Sequence, residues 1–247
     1  MERQVVGLLC RTSDRSPDGA AGTRELAELL DARMVGTPGT PRTCGWSDDL
    51  RGSKGCLLEA GGQLDDAFEA GCVPILLAPE CSIAVSTLPV LMRRHPQARV
   101  LWLDAHADFH TPQTTASGYL AGMCLAGACG LWDTGFGAGL DPPRVIMHGV
   151  RDIDGPERVA LDRGGVHRID DPKPLEGLEV FVHLDLDVLD PQVFPSRFSV
   201  EGGLSATELR AFLAEVASVC TIVGAEVTAA APDHGEMVVD AITPLLT

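Results

Sequence analysis

Short apolar runs alternate with longer segments of helical periodicity along most of this chain. Two of the runs, VPILLA at 73–78 and VLWL at 100–103, are apolar at every position, which is typical of strands buried on both faces of a parallel sheet. Among the helical segments, Ser205 followed by Glu208 forms a capping-box pattern. The sequence therefore predicts one α/β domain, residues 1–247, folded as a three-layer αβα sandwich around a mostly parallel sheet.

The same pattern assigns individual strands and helices. The predicted strands are Gln4–Cys10, Val73–Ala78, Arg99–Leu103, Arg144–His148, Glu179–Leu184 and Thr221–Glu226. The predicted helices are Thr23–Met34, Leu57–Ala70, Ser82–His95, Tyr119–Ala128, Ala206–Val219 and His234–Leu246. Pro89 is expected to kink or break the helix that contains it. The Gly- and Pro-rich stretches 36–55 and 130–143 are predicted to be loops within the domain.

Acidic residues cluster directly after the predicted strands, where open parallel sheets bind their ligands. Asp104, His106 and Asp108 follow one strand at alternate positions, and Asp185 and Asp187 follow another, so each group can converge on one point. Four neighbouring carboxylates need compensating charge, and together with one imidazole they suit Mn²⁺ better than copper or structural zinc. Alone, each motif is also consistent with a helix cap or a solvated turn, but the two together predict a metal site.

A formal net charge of −16 narrows the partners that the protein can have. Such an acidic surface repels phosphate groups, which argues against nucleic acid and anionic membranes and favours a small cationic substrate. The sequence has no apolar run long enough to cross a membrane and no segment of signal-peptide type, so the expected location is the cytoplasm. The 8 cysteines are scattered without a C-x-x-C motif and are expected to be mostly reduced thiols.

These motifs, with others along the chain, resemble the arginase/agmatinase family of ureohydrolases. DAHAD (104–108) and DLDVLDP (185–191) resemble the two signature blocks of the family, and LAPECSIAVSTL (77–88) resembles the block with its first metal ligand. HTPQTTASGYLAGM (110–123) follows the arginase branch, because agmatinases lack this run. The resemblance extends from about Pro74 to Thr243 and implies an enzyme that uses two Mn²⁺ ions to hydrolyse a guanidino group.

The resemblance also implies roles for individual residues. The metal ligands would be Cys81, Asp104, His106, Asp108, Asp185 and Asp187, with Asp104 and Asp185 bridging the two ions. Asp108 would also meet the amino group that leaves, and Glu226 would pair with the guanidinium, so these two are the predicted catalytic residues. The other substrate-binding residues would be His110, Ser117, Tyr119, Asp154 and Ser199. The alternative for Ser117 is a cap on the following helix.

The chain departs from the family pattern at three places. Cys81 stands where the family has a histidine ligand, and because a thiolate is a soft ligand, the first Mn²⁺ site is expected to be weak or part-occupied; the alternative is a buried thiol that touches no metal. Ala121 stands where arginases have a histidine proposed as a proton shuttle. The loop 194–204 is one residue shorter, and Ser199 stands where arginases have a threonine. The remaining histidines, His183 among them, are expected to have no role.

Two classes of function remain, an active amidinohydrolase and a non-catalytic binding protein derived from one, and the intact acids and His106 favour the enzyme. Among enzymes, the 110–123 stretch disfavours agmatinase, whereas Cys81 and Ala121 weaken plain arginase. The cysteine-for-histidine change is similar to that in arginase-related amidinohydrolases of antibiotic pathways, which cleave Nω-hydroxy-L-arginine to L-ornithine and hydroxyurea. That reaction is the prediction. A monomer or a weak oligomer is expected, because no arginase-like tail follows the last helix.

Overall fold

Eight parallel strands form the centre of the protein, which a computed structural model describes over residues 2–247. Their order in the sheet is β2-β1-β3-β8-β7-β4-β5-β6, and every neighbouring pair is parallel. The strands are β1 (Arg3–Leu8), β2 (Arg33–Val35), β3 (Val73–Ala78), β4 (Arg99–Leu103), β5 (Val145–His148), β6 (His167–Arg168), β7 (Glu179–Asp185) and β8 (Thr221–Thr228). The four central strands are almost wholly buried, because helices cover both faces of the sheet.

The helices form the two outer layers. They are α1 (Asp18–Leu29), α2 (Trp46–Gly52), α3 (Lys54–Glu69), α4 (Ala84–Arg94), α5 (Cys124–Ala128), α6 (Gly155–Gly164), α7 (Ala206–Val219) and α8 (Gly235–Leu246). On one face α1, α7 and α8 pack around buried residues such as Leu213 and Ile242. On the other face α3, α4 and α5 pack around residues such as Leu57 and Leu88. The predicted three-layer αβα sandwich is confirmed, and its sheet is parallel throughout.

Some predicted bounds agree with the structure at every residue, and others need correction. β3, β4 and α7 have the predicted bounds. The helix predicted at Thr23–Met34 ends at Leu29, because Arg33–Val35 pairs with β1 as the edge strand β2. The helix α4 continues through Pro89, so the predicted break does not occur. Pro89 has no N–H to donate within the helix, and packing of α4 against α3 and α5 stabilises that turn.

Besides β2, three elements lie outside the predicted set. The helix α2 falls within the stretch predicted as a loop, and its first amide, Trp46 N, donates to Gly118 O at 2.8 Å. The helix α6 begins after Asp154, whose side chain accepts a hydrogen bond from Glu157 N. The strand β6 has only two residues. The helix predicted at Tyr119–Ala128 is reduced to α5, which follows a short 3₁₀ turn.

One pair of cysteines, Cys10 and Cys56, forms a disulfide between the segment after β1 and the helix α3. The other six cysteines of the described chain are free thiols, so most but not all cysteines are reduced, as expected. Within residues 2–247, no helix has both the length and the apolar character needed to cross a bilayer.

Candidate metal centre and substrate cavity

Carboxylates at or just beyond the ends of β4 and β7 line the floor of a cavity of about 300 Å³. The two strands are neighbours in the sheet, so the residues that follow them come together. Backbone amides orient these carboxylates: Asp187 N donates to Asp185 Oδ1 at 2.8 Å, and Ala105 N donates to Asp187 Oδ1 at 3.0 Å. His106 N donates to Asp104 Oδ1 at 2.6 Å. The carboxylates are therefore fixed by the chain that leaves each strand.

The imidazole of His106 lies against two of these carboxylates. Its Nδ1 is 2.8 Å from Asp187 Oδ2 and 3.5 Å from Asp104 Oδ1. Burial lowers the pKa of His106, but the hydrogen bonds to Asp104 and Asp187 outweigh burial and raise the pKa to about 12. Asp104, His106 and Asp187 each offer one ligand atom, and these three atoms lie within 4.8 Å of one another.

Three of the four buried acids of the floor have raised pKa values, whereas for Asp187 the hydrogen bond and charge of His106 outweigh burial and lower the pKa. Burial raises the pKa of Asp104 and of Asp108 well above the usual range, and burial together with repulsion from Asp187 raises that of Asp185 to about 7. Within residues 2–247, none of these four acids forms an ion pair with a lysine or arginine. Clustered carboxylates with one imidazole and no cationic side chain fit the oxygen-rich ligand set of a hard divalent cation such as Mn²⁺.

Asp108 is held in an unusual backbone conformation. Its φ of +49° is in the left-handed region, which costs energy for a residue other than glycine. Two amides at the start of α5, Leu125 N and Ala126 N, donate to Asp108 O at 3.2 and 3.3 Å. The thiol of Cys124 donates to Asp108 Oδ2 at 3.6 Å. The helix α5 therefore fixes both the backbone and the carboxylate of Asp108 at the floor.

Cys81 lies among the predicted ligands, and its thiol contacts three of its neighbours. The thiol donates to Asp185 Oδ2 at 2.7 Å, and its sulfur is 3.0 Å from Thr228 Oγ1 and 3.3 Å from His183 Nε2. Burial, followed by repulsion from Asp185 and the other acids, raises the pKa of Cys81 well above its usual range. The structure therefore brings Cys81 to the acidic floor, and a neutral thiol is the form that these surroundings favour.

His183 has a role in the site that the sequence pattern did not indicate. It is fully buried beneath Cys81, and its Nδ1 lies 2.6 Å from Glu226 Oε1. Its ring stacks on Trp102 with centroids 3.5 Å apart, and Trp102 Nε1 donates to Asp104 Oδ2 at 3.1 Å. The spacing could have shown this, because a residue two positions before Asp185 in a strand lies on the same face of the sheet.

Glu226 does not reach the cavity, so its predicted contact with a guanidinium needs correction. Its side chain is 0% exposed, its Oε2 accepts a hydrogen bond from Thr87 Oγ1 at 2.7 Å, and its Oε1 faces His183. In the register of β7 and β8, Glu226 pairs with His183, whereas Thr228 pairs with Asp185 at the floor. The carboxylate of Glu226 therefore supports His183 one layer below the cavity.

A second polar group lines the cavity near the start of α6. His110 Nε2 lies 3.6 Å from Asp154 Oδ2 and 3.9 Å from Glu157 Oε1. Glu157 is buried and accepts a hydrogen bond from Phe109 N at 2.9 Å. These acceptors suit an ammonium group. Glu157 was not predicted, although its place three residues after a capping aspartate would put both side chains in the first turn of one helix.

The remaining predicted substrate residues divide into two groups. Ser117 and Tyr119 line the cavity, as does Ala121. The hydroxyl of Ser117 accepts a hydrogen bond from Tyr119 N at 3.2 Å, so it also caps its own turn. Ser199 is exposed and does not line the cavity; its neighbour Phe198 does, with its ring 5.2 Å from that of Tyr119. The 194–204 loop thus contributes an apolar ring in place of the predicted hydroxyl.

Known proteins share both the sequence pattern and the fold. The model of the arginase family matches residues 49–243. An N(omega)-hydroxy-L-arginine amidinohydrolase from Streptomyces lavendulae is 37% identical over 215 residues, which cover 81% of this chain and 79% of that protein. An arginase from Glaciozyma antarctica is 29% identical over 68% of this chain and 56% of its own length. The crystal structure of arginase from Bacillus subtilis superposes with a TM-score of 0.84 at 22% identity, covering 100% of this chain and 98% of that chain.

Proposed function

The chain belongs to the arginase family of hydrolases, which act on the C–N bonds of linear amidines, and we propose that it is a manganese-dependent amidinohydrolase that cleaves Nω-hydroxy-L-arginine to L-ornithine and hydroxyurea. One observation carries the proposal: a single cavity joins a floor of buried carboxylates to a polar group suited to an amino-acid ammonium, with only a methyl group at Ala121. The similarity to the Streptomyces lavendulae protein supports the hydroxylated substrate.

The proposed Mn²⁺ ligands are the floor residues Asp104, His106, Asp108, Asp185 and Asp187, with Cys81 as a further candidate. Mn²⁺ bound there would lower the pKa of a water molecule and supply a hydroxide nucleophile near neutral pH. The protein's own contribution is to hold five oxygen and nitrogen donors in place before the substrate enters.

The rest of the cavity orients the substrate. The α-ammonium group binds His110, Asp154 and Glu157, and the guanidino group then extends towards the acidic floor. In the reaction a C–O bond forms at the guanidino carbon, and the bond from that carbon to the ornithine side-chain nitrogen breaks. That nitrogen needs a proton. Asp108 is the proposed carrier: its carboxylate accepts the proton of the hydroxyl that has added to the guanidino carbon and passes it to the leaving nitrogen.

The alanine at position 121 accounts for the choice of a hydroxylated substrate. The resemblance to arginases aligns this position with a histidine of that family. Here the side chain that lines the cavity is the methyl group of Ala121. An N-hydroxy group withdraws electron density from the guanidine, which lowers its basicity and makes its carbon more electrophilic in a given protonation state. Such a substrate depends less on general acid–base catalysis, which is typically worth ~10²–10⁴-fold.

Product analysis tests the proposed reaction. The Mn²⁺-loaded protein is incubated with Nω-hydroxy-L-arginine, and we expect L-ornithine and hydroxyurea in equal amounts. Asp185→Asn should abolish both products, whereas Asp162→Asn, an equal change of charge on the exposed face of α6, should leave them unchanged. If the loaded protein binds L-ornithine but forms neither product, it is a binding protein and the proposal fails.

A further inference from the structure

Arg15 lines the cavity from a loop that is distant in sequence from the acidic motifs. It is the only arginine or lysine among the residues that line the cavity, whereas eight acids line it: Glu80, Asp104, Asp108, Asp152, Asp154, Glu157, Asp185 and Asp187. Surroundings of this kind repel a carboxylate. A ligand that carries one would therefore need a local cation, and Arg15 is the side chain that offers it.

The loop that carries Arg15 is fixed by hydrogen bonds to the segment that carries Cys81. This loop joins β1 to α1, and two of its hydroxyls bind the residue that follows Cys81: Ser82 Oγ donates to Thr12 Oγ1 at 2.7 Å, and Ser13 Oγ donates to Ser82 Oγ at 3.0 Å. All three hydroxyl residues are buried. The position of Arg15 relative to the predicted ligands is thus set by the fold rather than by a free surface loop.

The guanidinium of Arg15 is oriented by an aromatic ring and forms no ion pair with any acid of residues 2–247. Its central carbon lies 4.1 Å from the centroid of the Tyr119 ring, a stacking arrangement that holds the plane of the guanidinium. Its Nε is buried and has no hydrogen-bond partner within residues 2–247. A buried polar group is normally hydrogen-bonded, so an unpaired Nε in a ligand cavity indicates a partner that arrives with the ligand.

We propose that Arg15 binds the α-carboxylate of the amino-acid substrate. This inference rests on the proposed function and adds the residue that selects substrates with a free carboxylate. The planar fork of a guanidinium suits a bidentate bond to a carboxylate, and Ser117 lines the same cavity as a neutral donor. Arg15 and the group of His110, Asp154 and Glu157 then recognise the two charges of the zwitterion separately. Tyr119 acts as a positioning residue, because it stacks on Arg15.

Calorimetric titration of the Mn²⁺-loaded protein with L-ornithine and with putrescine tests this inference. The two ligands differ only in the α-carboxylate, and neither has a guanidino group to be cleaved. We expect the protein to bind L-ornithine more tightly than putrescine. Arg15→Gln should weaken L-ornithine binding by about tenfold or more and should not weaken putrescine binding. Arg168→Gln removes the same charge from an exposed arginine of β6 outside the cavity and should change neither affinity.

Two further results complete the test. Arg15→Lys keeps the charge but loses the planar fork of the guanidinium, so it should bind L-ornithine with intermediate affinity. If Arg15→Gln fails to fold, the affinity of Arg15→Lys tests the inference in its place. The inference is overturned if the protein does not prefer L-ornithine, or if the folded Arg15 variants bind it as tightly as the unmodified protein. Because the titration needs no turnover, its failure is distinct from failure of the proposed reaction, which appears as absence of hydroxyurea.

Discussion

Cys81 stands where the family pattern has a histidine, and His183 lies directly behind it in the structure. The sulfur of Cys81 is at the floor, and the imidazole of His183 lies one layer lower, 3.3 Å from that sulfur. Glu226 and the Trp102 ring fix the imidazole from two directions. Groups that orient metal ligands from behind influence metal affinity strongly, so His183 is expected to matter although it does not line the cavity.

Replacing His183 tests this supporting role. His183→Asn should lower the affinity for Mn²⁺ by about 10–100-fold, because Cys81 and Trp102 lose the ring that holds them against the floor acids. Equilibrium dialysis with metal analysis measures the affinity directly. His167→Asn alters an exposed histidine of β6 and serves as the control. Equal Mn²⁺ affinity in the two variants would show that His183 is only a core residue.

Two substitutions that restore the family pattern should shift the substrate preference. Cys81→His supplies a harder nitrogen ligand, and Ala121→His supplies a titratable group at the cavity wall. Each should raise kcat/KM for L-arginine relative to Nω-hydroxy-L-arginine. Cys81→Ser removes the thiol without adding an imidazole, so it should not produce this shift. If the ratio of the two kcat/KM values is unchanged in both histidine variants, positions 81 and 121 do not determine the substrate preference.

At the scale of elements, the apolar pattern predicts where strands and helices lie. It does not predict the features that depend on the register between neighbouring strands. The strands β3 and β4 are apolar throughout, and both have the predicted bounds. The depth of Glu226 depends instead on how β8 lies against β7, where the register shifts between Val180 and Phe181. No local pattern reports that shift. Arg15 was also missed, because it reaches the cavity from a loop distant in sequence from the acidic motifs.

Asp154 serves both the helix α6 and the cavity, and two substitutions should separate these roles. Its side chain accepts a hydrogen bond from Glu157 N at 2.9 Å, as a helix N-cap does. Asparagine is an equally good cap, so Asp154→Asn should keep the free energy of unfolding but raise KM through loss of the charge. Asp154→Ala should raise KM and also lower the free energy of unfolding by about 1 kcal/mol. Urea titration and steady-state kinetics measure the two effects, and equal stability of both variants would contradict the capping role.

At the scale of the whole molecule, the acidic floor links stability to pH and to metal. Without a bound cation, burial raises the pKa of Asp185 to about 7, whereas an unfolded aspartate titrates near ~3.9. The folded state then holds more protons than the unfolded state between these values. The stabilising contribution of Asp185 is therefore present at low pH and is lost as the pH rises through this window. Bound Mn²⁺ replaces the protons, so its stabilising effect should grow over the same range.

Thermal unfolding at pH 5 and pH 8 measures this linkage. The difference in Tm between Mn²⁺-loaded and EDTA-treated protein should be larger at pH 8, because protons compete with the metal at pH 5. At 100 times its Kd, a bound metal stabilises the folded state by about 2.7 kcal/mol. Asp185→Asn should reduce the difference at both pH values. A Tm difference that is independent of pH would contradict the assignment of Mn²⁺ to these acids.

The most direct test of the account compares kcat/KM for Nω-hydroxy-L-arginine and L-arginine in one buffer with saturating Mn²⁺. A cavity that has Ala121 in place of a proton-shuttling histidine and Cys81 in place of a hard ligand should favour the less basic, hydroxylated substrate. We therefore predict the larger kcat/KM for Nω-hydroxy-L-arginine. A tenfold preference for L-arginine, about 1.4 kcal/mol of transition-state discrimination, would contradict the account and identify the protein as an arginase.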